Sequence, residues 1–516
     1  MTASPVPGVV AIVLVTAATL AIGTWGLRLS RTTSDFFVAS RTVDPRLNAS
    51  AIGGEYLSAA SFLGVAGLLL VSGADMLWYP VGWTAGFLVV LALVAAPLRR
   101  SGAYTLPDFA EARLGSRSVR TACSLLVVVI GWLYLLPQFQ GAGLTLGAAV
   151  GAPYWVGPLV VGGVVLANVT SGGMRSVTFV QAFQYWLKLT ALLLPAVVLA
   201  LVWLGDGRPG AQETSGPFPD LVSWSRPVAE GGGQGLYVTY SVIVATFLGT
   251  MGLPHVVVRF YTNPDGRAAR RTTLAVLGLL SAFYLVPPVY GALGRIYAPD
   301  LAAGGSDGLV LQLPHLMLDG LGADLLTGLV VAGAFAAFLS TSSGLSVAVA
   351  GVLSQDLVGR DRERGRLDGV LAFRLSAIVA VGVPCLTALA GADVGVARTV
   401  GLAFAVAAST FCPLLLLGIW WPRLTDVGAL AGLVVGGLGS AGAAGLTLAT
   451  DLGDRLDDAW GGWARLLLEQ PAAWSVPLAM ATMVGISRAT PRRVPRHTTR
   501  FLVRLHAPEA VELDRG

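Results

Sequence analysis

Four hydroxyl-bearing residues stand in a row inside a long apolar stretch in the second half of the chain. Residues 340–343 read Ser-Thr-Ser-Ser. At 3.6 residues per turn, Ala337, Ser340 and Thr341 share one face of a helix, so two hydroxyls and a nearby carbonyl point to one place. A cation that has lost part of its water prefers oxygen ligands, and a buried hydroxyl needs a partner. The pattern indicates a cation site of neutral oxygens, although Ser and Thr in membrane helices also bond to their own backbone.

A second place rich in oxygen atoms is predicted where two glycines interrupt an apolar segment. Gly53 and Gly54 are followed directly by the acidic Glu55 in the segment 48–64. Glycine destabilises a helix, and hydrophobic segments interrupted in this way unwind at the substrate and ion sites of transporters, where they expose backbone carbonyls. We therefore expect this segment and the hydroxyl-rich segment around 340 to meet at one site.

The elements that carry these residues are predicted to be membrane helices. The chain of 516 residues is 54% hydrophobic and 12% charged, and its mean hydropathy of +0.72 is outside the range of an ordinary soluble domain. The sequence predicts an all-α polytopic membrane protein, with a first span that is retained because no basic region precedes it. Thirteen apolar stretches are long enough to cross a bilayer of about 30 Å, namely residues 8–28, 48–72, 76–98, 121–149, 152–170, 175–204, 234–254, 272–294, 323–354, 369–391, 394–420, 426–448 and 470–488.

Basic residues are distributed unevenly between the loops that join these stretches. Alternate loops, counted from the end of the first span, carry 26 arginines, and the opposite set carries six. Because Lys and Arg mark the cytoplasmic side, the N-terminus is predicted outside and the C-terminus in the cytoplasm. The net charge of +5 is therefore not evidence of nucleic-acid binding. Lys188, the only lysine of the chain, falls within a predicted span and is given no role from the sequence.

Enzymes and metalloproteins are disfavoured by the residues that could do chemistry. The three cysteines, Cys123, Cys385 and Cys412, have no metal-ligand spacing, and the four histidines are scattered. No phosphate-binding lysine loop is found in the sequence. No catalytic residue and no cofactor are predicted, and energy is expected to come from an ion gradient.

Seven stretches, taken in order, resemble the sodium/solute symporter family. They extend over about residues 35–425. Within the family, the Ser-Ala-Ala-Ser stretch 58–61 and the stretch ending in Pro254 and His255 resemble the cation/acetate, or short-chain monocarboxylate, branch. The seven stretches are 35–41 (DFFVASR), 54–64 (GEYLSAASFLG), 105–109 (TLPDF), 134–138 (YLLPQ), 172–174 (GGM), 249–255 (GTMGLPH) with Arg259, and Ser340 with Thr341.

The resemblance implies a LeuT-like fold with a 5+5 inverted repeat. Its transporter core would cover residues 48–420, with one repeat at 48–204 and the other at 234–420. Residues 1–47 would add a transmembrane helix and a linker, and 421–488 two further helices. The remainder, 489–516, would be a basic cytoplasmic tail at the inner membrane surface.

The resemblance also implies a principal sodium site between the second and ninth spans. Its ligands would be the carbonyls of Gly54, Leu57 and Ala337 and the hydroxyls of Ser340 and Thr341.

A second ion or coupling position would involve Glu55, Gln181 and Ser343. The sequence departs from the family there, since Gln181 stands where members with a second sodium have an aspartate, and the acid usually near position 56 stands at 55. A carboxylate inside a membrane is expected to be functional, through protonation or as a partner of a helix end.

A carboxylate solute needs hydrogen-bond donors, which broken helix ends supply together with a positive dipole end. Arg259 is expected on the cytoplasmic side, as part of the positive-inside bias or a gate contact. Polar residues expected to line the solute site are Ser58, Ser61, Gln138, Gln140, Thr250 and His255. These residue types also form hydrogen bonds between membrane helices.

The function predicted from these observations is sodium-coupled import of acetate or a related short-chain monocarboxylate by alternating access in the cell membrane. The partners would be the solute, sodium and the lipid bilayer, without nucleic acid. Alternatives are proton coupling through Glu55, another solute such as pyruvate, propionate, proline or a sugar, and a membrane sensor module.

Overall fold

A computed structural model of the protein describes residues 5–27, 39–211, 221–226, 232–357, 369–390, 396–449 and 462–509. The described ranges contain helices and no strand, as predicted for an all-α protein. The α-helices are α1 (Val6–Leu27), α2 (Pro45–Tyr56), α3 (Val65–Ser72), α4 (Trp78–Val89), α5 (Ala95–Ser101), α6 (Leu106–Leu114), α7 (Arg117–Val150), α8 (Val156–Gly205), α9 (Leu221–Ser225), α10 (Gly232–Gly252), α11 (Pro254–Phe260), α12 (Gly266–Tyr284), α13 (Pro287–Tyr297), α14 (Leu309–Met317), α15 (Gly320–Val352), α16 (Gly369–Leu389), α17 (Val396–Trp420), α18 (Asp426–Ala449), α19 (Trp463–Glu469), α20 (Ala472–Ala489) and α21 (Thr498–His506).

The longest of these helices are apolar, and a chain in lipid forms helices because it must satisfy its backbone hydrogen bonds within itself. In the described ranges, ten helical segments are long and apolar enough to cross a membrane, and Val156–Thr170 is a shorter apolar helix. The predicted spans 152–170 and 175–204 are joined in α8, where Gly173 interrupts the helix with φ 58° and ψ −163°. This left-handed conformation favours glycine, which has no Cβ.

The helix α2 begins and ends at features that the sequence explains. The Asp44 carboxylate caps its N-terminus by accepting hydrogen bonds from the backbone N–H groups of Arg46 and Leu47, and Pro45 occupies the first turn, where its missing N–H costs nothing. The helix ends at Tyr56, and Leu57 leaves it with ψ 89°. The chain then resumes as a π-helical turn, Ala60–Gly64, which leads into α3.

The interruption of this segment lies a few residues after the place predicted for it. Gly53 and Gly54 remain inside α2, whereas the sequence predicted that they would break it. Their role is close packing against α8: a Cβ on Gly54 would lie 2.1 Å from the carbonyl oxygen of Gln181, and a Cβ on Gly53 would lie 2.8 Å from the ring of Tyr185. The two glycines thus bring the end of α2 against α8.

A second interruption separates α10 from α11. Leu253 adopts an extended conformation with ψ 117° between Gly252 and Pro254, and Pro254 starts the next helix, where its fixed φ is favourable. The two broken segments, at Leu57 and at Leu253, stand at the beginning of the two predicted repeats.

The centre of the bundle is formed by α8 and α15. Every residue of α15 from Val330 to Val352 is buried, and the many Gly, Ala and Ser residues of this helix allow close approach of its neighbours. The helix packs against α8, α7 and α1, and α8 also packs against α2. The ends of the broken segments therefore face the hydroxyl-rich middle of α15.

Candidate cation and solute site

The only lysine of the chain lies where the sequence predicted a sodium ion. Lys188, on α8, is fully buried, and its ammonium group donates hydrogen bonds to the carbonyl of Gly54, the carbonyl of Leu57 at 2.6 Å and the hydroxyl of Ser340 at 2.9 Å. We call this group of atoms the lysine junction. An ammonium group has three N–H donors, so each of them has an acceptor.

The remaining two predicted sodium ligands also have partners within the chain. The carbonyl of Ala337 accepts a hydrogen bond from the Ser340 hydroxyl at 3.1 Å. The Thr341 hydroxyl donates to the carbonyl of Glu55 at 2.6 Å. The structure thus brings all five predicted residues together between α2 and α15, and places a side-chain cation among them that the sequence analysis left without a role.

An ion pair lies beside the lysine junction, deep inside the protein. The Nε of Arg259 is 2.7 Å from the Glu55 carboxylate, and the side chains are 1% and 2% exposed. Arg259 also donates to the Thr178 hydroxyl at 2.8 Å and to the amide oxygen of Gln181. Sequence reasoning explained Arg259 by the positive-inside bias or by a gate contact; the structure shows that its guanidinium joins α11 to α2 and α8. Lys188, Glu55 and Arg259 are referred to as the charged cluster.

The residues predicted for a second ion do not form one group. Gln181 is joined to Glu55 through Arg259, and its amide N–H donates to the carbonyl of Ser340 at 2.8 Å. Ser343 instead accepts a hydrogen bond from Asn168 at 3.4 Å, outside this network. The Gln181 amide oxygen, which would be offered to a cation, already accepts a hydrogen bond from the Arg259 guanidinium.

A group of packed aromatic side chains, Tyr56, Trp83, Tyr134 and Phe404, lies beside the break of the helix, and we call it the aromatic chamber. The Phe404 ring is the centre of this group, with ring centroids 5.7 Å from Trp83, 5.9 Å from Tyr134 and 6.1 Å from Tyr56. The Tyr56 hydroxyl is held by the Thr250 hydroxyl at 2.7 Å and donates to the carbonyl of Trp83 at 3.2 Å. Aromatic rings in such contacts stabilise each other and fix the walls of the chamber.

Several buried polar atoms at this chamber have no hydrogen-bond partner among the described residues. They are the indole N–H of Trp83, both ring nitrogens of His255 and the hydroxyl of Ser58, which lies beside the Tyr134 hydroxyl but outside the geometry of a regular hydrogen bond. Ser58 lies within the break of the helix, and the His255 ring packs against Tyr134 at 5.3 Å. Because buried polar groups normally find partners, these atoms are available to a polar ligand.

The other predicted solute residues are used inside the protein. Gln138 accepts a hydrogen bond from the backbone N–H of Ala59 at 2.9 Å, at the start of the second half of the broken segment. Ser61 is hydrogen-bonded to the Tyr284 hydroxyl at 2.8 Å. Gln140 is buried on α7, but residues two apart on a helix project to different sides, so it does not share the side of Gln138.

The sequence contained a signal for Lys188 that was not used. An ionisable residue in the middle of a membrane span is costly and functional by default, and a single lysine among 34 basic residues is conspicuous. Nothing in the sequence marks Tyr56 and Trp83 as part of the site, because aromatic residues are common in apolar helices.

Comparison with known proteins gives a consistent family and fold. The sequence pattern of the Sodium:solute symporter family matches residues 36–436. An uncharacterized symporter, YwcA, of Bacillus subtilis (strain 168) is 30% identical over 427 residues, which cover 81% of this chain and 82% of that protein.

Two solved structures share the fold. A substrate-bound, outward-open Na+-coupled sialic acid symporter superposes with a TM-score of 0.67 at 16% identity, over 92% of this chain and 97% of that one. The nucleobase-cation-symport-1 family transporter Mhp1, in a closed conformation with bromovinylhydantoin bound, gives a TM-score of 0.54 at 15% identity, over 92% and 99%. The protein therefore has the LeuT-like fold predicted for it.

The chain is a multi-pass membrane protein whose relatives are symporters and not enzymes. Membership of the family supports sodium as the coupling ion and a solute as the cargo. With a family pattern that covers most of its length and a site at the breaks of two helices, this protein belongs to the sodium:solute symporter family.

Proposed function

We propose that this protein imports acetate or a related short-chain monocarboxylate across the cell membrane by alternating access. Its N-terminus would lie outside and its C-terminus in the cytoplasm, in keeping with the arginine distribution of the loops. The solute would bind in the aromatic chamber, beside the interruptions at Leu57 and Leu253. Interrupted helices of this kind carry the solute sites of transporters with inverted repeats.

The observation that carries the proposal is the set of polar atoms without partners in the chamber. Ser58, Trp83 and His255 present a hydroxyl, an indole N–H and an imidazole in a fully buried site, beside the Tyr56 and Thr250 hydroxyls, which are hydrogen-bonded to each other. A buried donor that lacks an acceptor costs about 1–3 kcal/mol. A carboxylate would accept hydrogen bonds from these groups, which are then shorter and stronger than bonds to a neutral acceptor.

The charge of the neighbouring residues favours an anion over a neutral solute. Lys188 and Arg259 are two basic side chains, and Glu55 is the single acidic side chain of α2 and α8. With all three groups ionised, the charged cluster has a formal excess of one positive charge. Since uncompensated charge inside a membrane is expensive, a monovalent anion in the adjacent chamber would be attracted by it.

The close packing of the aromatic rings favours a short solute. Its rings lie in direct contact, with Phe404 at centroid distances between 5.7 and 6.1 Å from three neighbours. A solute of two or three carbon atoms needs only a small separation of these rings, whereas a sugar would require them to move apart. This supports acetate and its homologues over the larger solutes considered from the sequence.

Counterflow of radiolabelled acetate in proteoliposomes tests the proposal. Acetate should exchange, and excess unlabelled propionate and pyruvate should compete for it, because they share the carboxylate and are nearly as small. Proline and glucose should not compete. If labelled proline or glucose is exchanged and acetate is not, the proposed solute class is wrong.

A further inference from the structure

The lysine junction gives each donor of one ammonium group an oxygen acceptor. Lys188 reaches from α8 to two carbonyls of α2, those of Gly54 and Leu57, and to the hydroxyl of Ser340 on α15. All three acceptors are neutral oxygens, which is the ligand set that a monovalent cation also uses. A free cation and this ammonium group therefore compete for the same lone pairs.

The direction of α2 adds to the preference for positive charge. The helix ends at Tyr56, so its last carbonyls point into the junction, and the C-terminus of a helix carries a partial negative charge. The Thr341 hydroxyl donates a hydrogen bond to the carbonyl of Glu55. The Lys188 ammonium group donates to the carbonyls of Gly54 and Leu57. The Tyr134 hydroxyl donates a long hydrogen bond to the carbonyl of Tyr56 at 3.5 Å. The end of α2 is thus capped by two hydroxyls and one ammonium group, all provided by other helices.

The acidic side chain closest to the junction is already engaged. Glu55 forms an ion pair with Arg259 at 2.7 Å. The first helix, α1, contains no ionisable side chain, and the buried part of α15 from Val330 to Val352 contains none. A sodium ion entering beside Lys188 would therefore meet two fixed positive charges and one carboxylate that is shared with Arg259.

We infer that the ammonium group of Lys188 is the resident cation of this junction, and that in this chain it takes the place of a sodium ion bound between α2 and α15. The inference rests on the proposed function, and it departs from the sodium coupling that family membership supports. A cation attached to the chain cannot cross the membrane with the solute. Solute uptake by this protein therefore does not require sodium at this place.

The same geometry predicts what removal of the lysine does. In Lys188→Ala the three acceptors lose their donor, and the space left by the long side chain is open to a hydrated cation. Sodium should then bind to the freed oxygens. In the matched variant Lys188→Met the side chain has similar length and no charge, so it fills the space and offers sodium no room.

Thermal unfolding of the purified full-length protein in detergent tests this directly, in sodium chloride and in choline chloride at equal ionic strength. A ligand that binds only the folded state raises the melting temperature. Sodium should leave the melting temperature of the wild type and of Lys188→Met unchanged and should raise that of Lys188→Ala. A sodium-dependent rise in the wild type overturns the inference, and this arm needs no variant to fold.

Uptake in proteoliposomes provides the second readout, with labelled acetate and with sodium replaced by choline on both sides. Wild-type uptake should be the same in both salts. Lys188→Ala should lose more than about tenfold in choline, as expected when a charged hydrogen-bond donor is removed from buried acceptors, and should recover in sodium. Wild-type uptake that stops without sodium, or Lys188→Ala uptake that equals the wild type in choline, refutes the inference.

The two readouts separate this inference from the proposed function. If the wild type does not exchange acetate, the solute assignment fails, but the effect of sodium on the melting temperature is measured without any solute. If acetate is exchanged and sodium stabilises the wild type, the solute assignment stands and the inference about Lys188 fails.

Discussion

The charged cluster and the aromatic chamber both lie beside the broken helix, and both are buried. They differ in whether their polar atoms have hydrogen-bond partners within the protein. In the cluster, Lys188 has three acceptors and the Glu55 carboxylate has Arg259. In the chamber, Ser58 and His255 have polar atoms without a partner among the described residues. The cluster therefore gives each charged group a hydrogen-bonded partner within the protein, even with one positive charge in excess, whereas the chamber keeps neutral polar atoms for a ligand.

The difference follows from the free-energy cost of burying a charged group or a neutral polar group without a partner. A buried charge without a partner is far more expensive than a buried hydroxyl without one. A transporter that must exist both with and without solute can leave a hydroxyl unsatisfied, at about 1–3 kcal/mol, but not a carboxylate. From this comparison we infer that the cluster stabilises the fold and that the chamber binds and releases the solute.

The strongest test of this comparison is to remove one charge from the cluster. Glu55→Gln leaves Lys188 and Arg259 without an acidic neighbour on α2 or α8, whereas Arg259→Gln leaves Glu55 beside Lys188. Breaking a buried ion pair costs about 3–5 kcal/mol, and we expect Glu55→Gln to be the more destabilising change. The free energy of unfolding, measured by denaturant titration in detergent, gives the order.

The double variant Glu55→Gln/Arg259→Gln is the control for that experiment. Two neutral amides in place of the pair should cost less than the sum of the single changes, because neither charge is left alone. If the two losses of stability are additive, Glu55 and Arg259 are not energetically coupled, and the ion pair does not stabilise the charged cluster.

The fold of this protein was predictable because hydrophobic stretches of membrane length leave the chain few alternatives. The meeting of Gly54 and Leu57 with Ser340 was implied by the resemblance to the sodium/solute symporter family, whereas the spacing of hydroxyls on one helix face indicated Ser340 and Thr341 from the residues alone. Neither of these patterns depends on details of packing.

Two features depended on packing that sequence patterns do not encode. One is the presence of Lys188 at the lysine junction, and the other is the residue at which α2 ends. Lys188 reaches the junction only because Gly53 and Gly54 bring α2 against α8, and those glycines stay helical for the same reason. Sequence reasoning assigned the glycines to the break and left the lysine without a role. The partners of Arg259 were missed because a count of arginines per loop does not show which side chain turns back into the bundle.

A smaller effect is expected in the chamber, where two serines three residues apart allow a matched comparison. Ser58 has no partner among the described residues, and Ser61 is hydrogen-bonded to Tyr284. Ser58→Ala should leave stability unchanged and raise the KM for acetate by about tenfold, the loss of one hydrogen bond to a charged acceptor. Uptake kinetics and unfolding midpoints measure the two effects.

The control variant Ser61→Ala should show the reverse pattern. It removes an internal hydrogen bond, so stability should fall by about 1 kcal/mol, with little change in KM. If instead Ser58→Ala destabilises the protein and leaves KM unchanged, Ser58 belongs to the architecture and the chamber is not the solute site.

The smallest effect is expected at Ser343, which marks the edge of the charged cluster. Its hydroxyl meets only the amide of Asn168 at 3.4 Å, a long and weak hydrogen bond, whereas Ser340 on the preceding turn accepts from Lys188 at 2.9 Å. Ser343→Ala should therefore change stability by less than about 0.5 kcal/mol and leave acetate uptake unaltered in sodium and in choline. Ser340→Ala, the same substitution one turn away, should reduce both stability and uptake, because it leaves one N–H of a buried ammonium group without an acceptor. A sodium-dependent loss of uptake in Ser343→Ala alone would place a second cation at this serine and extend the cluster beyond the lysine junction.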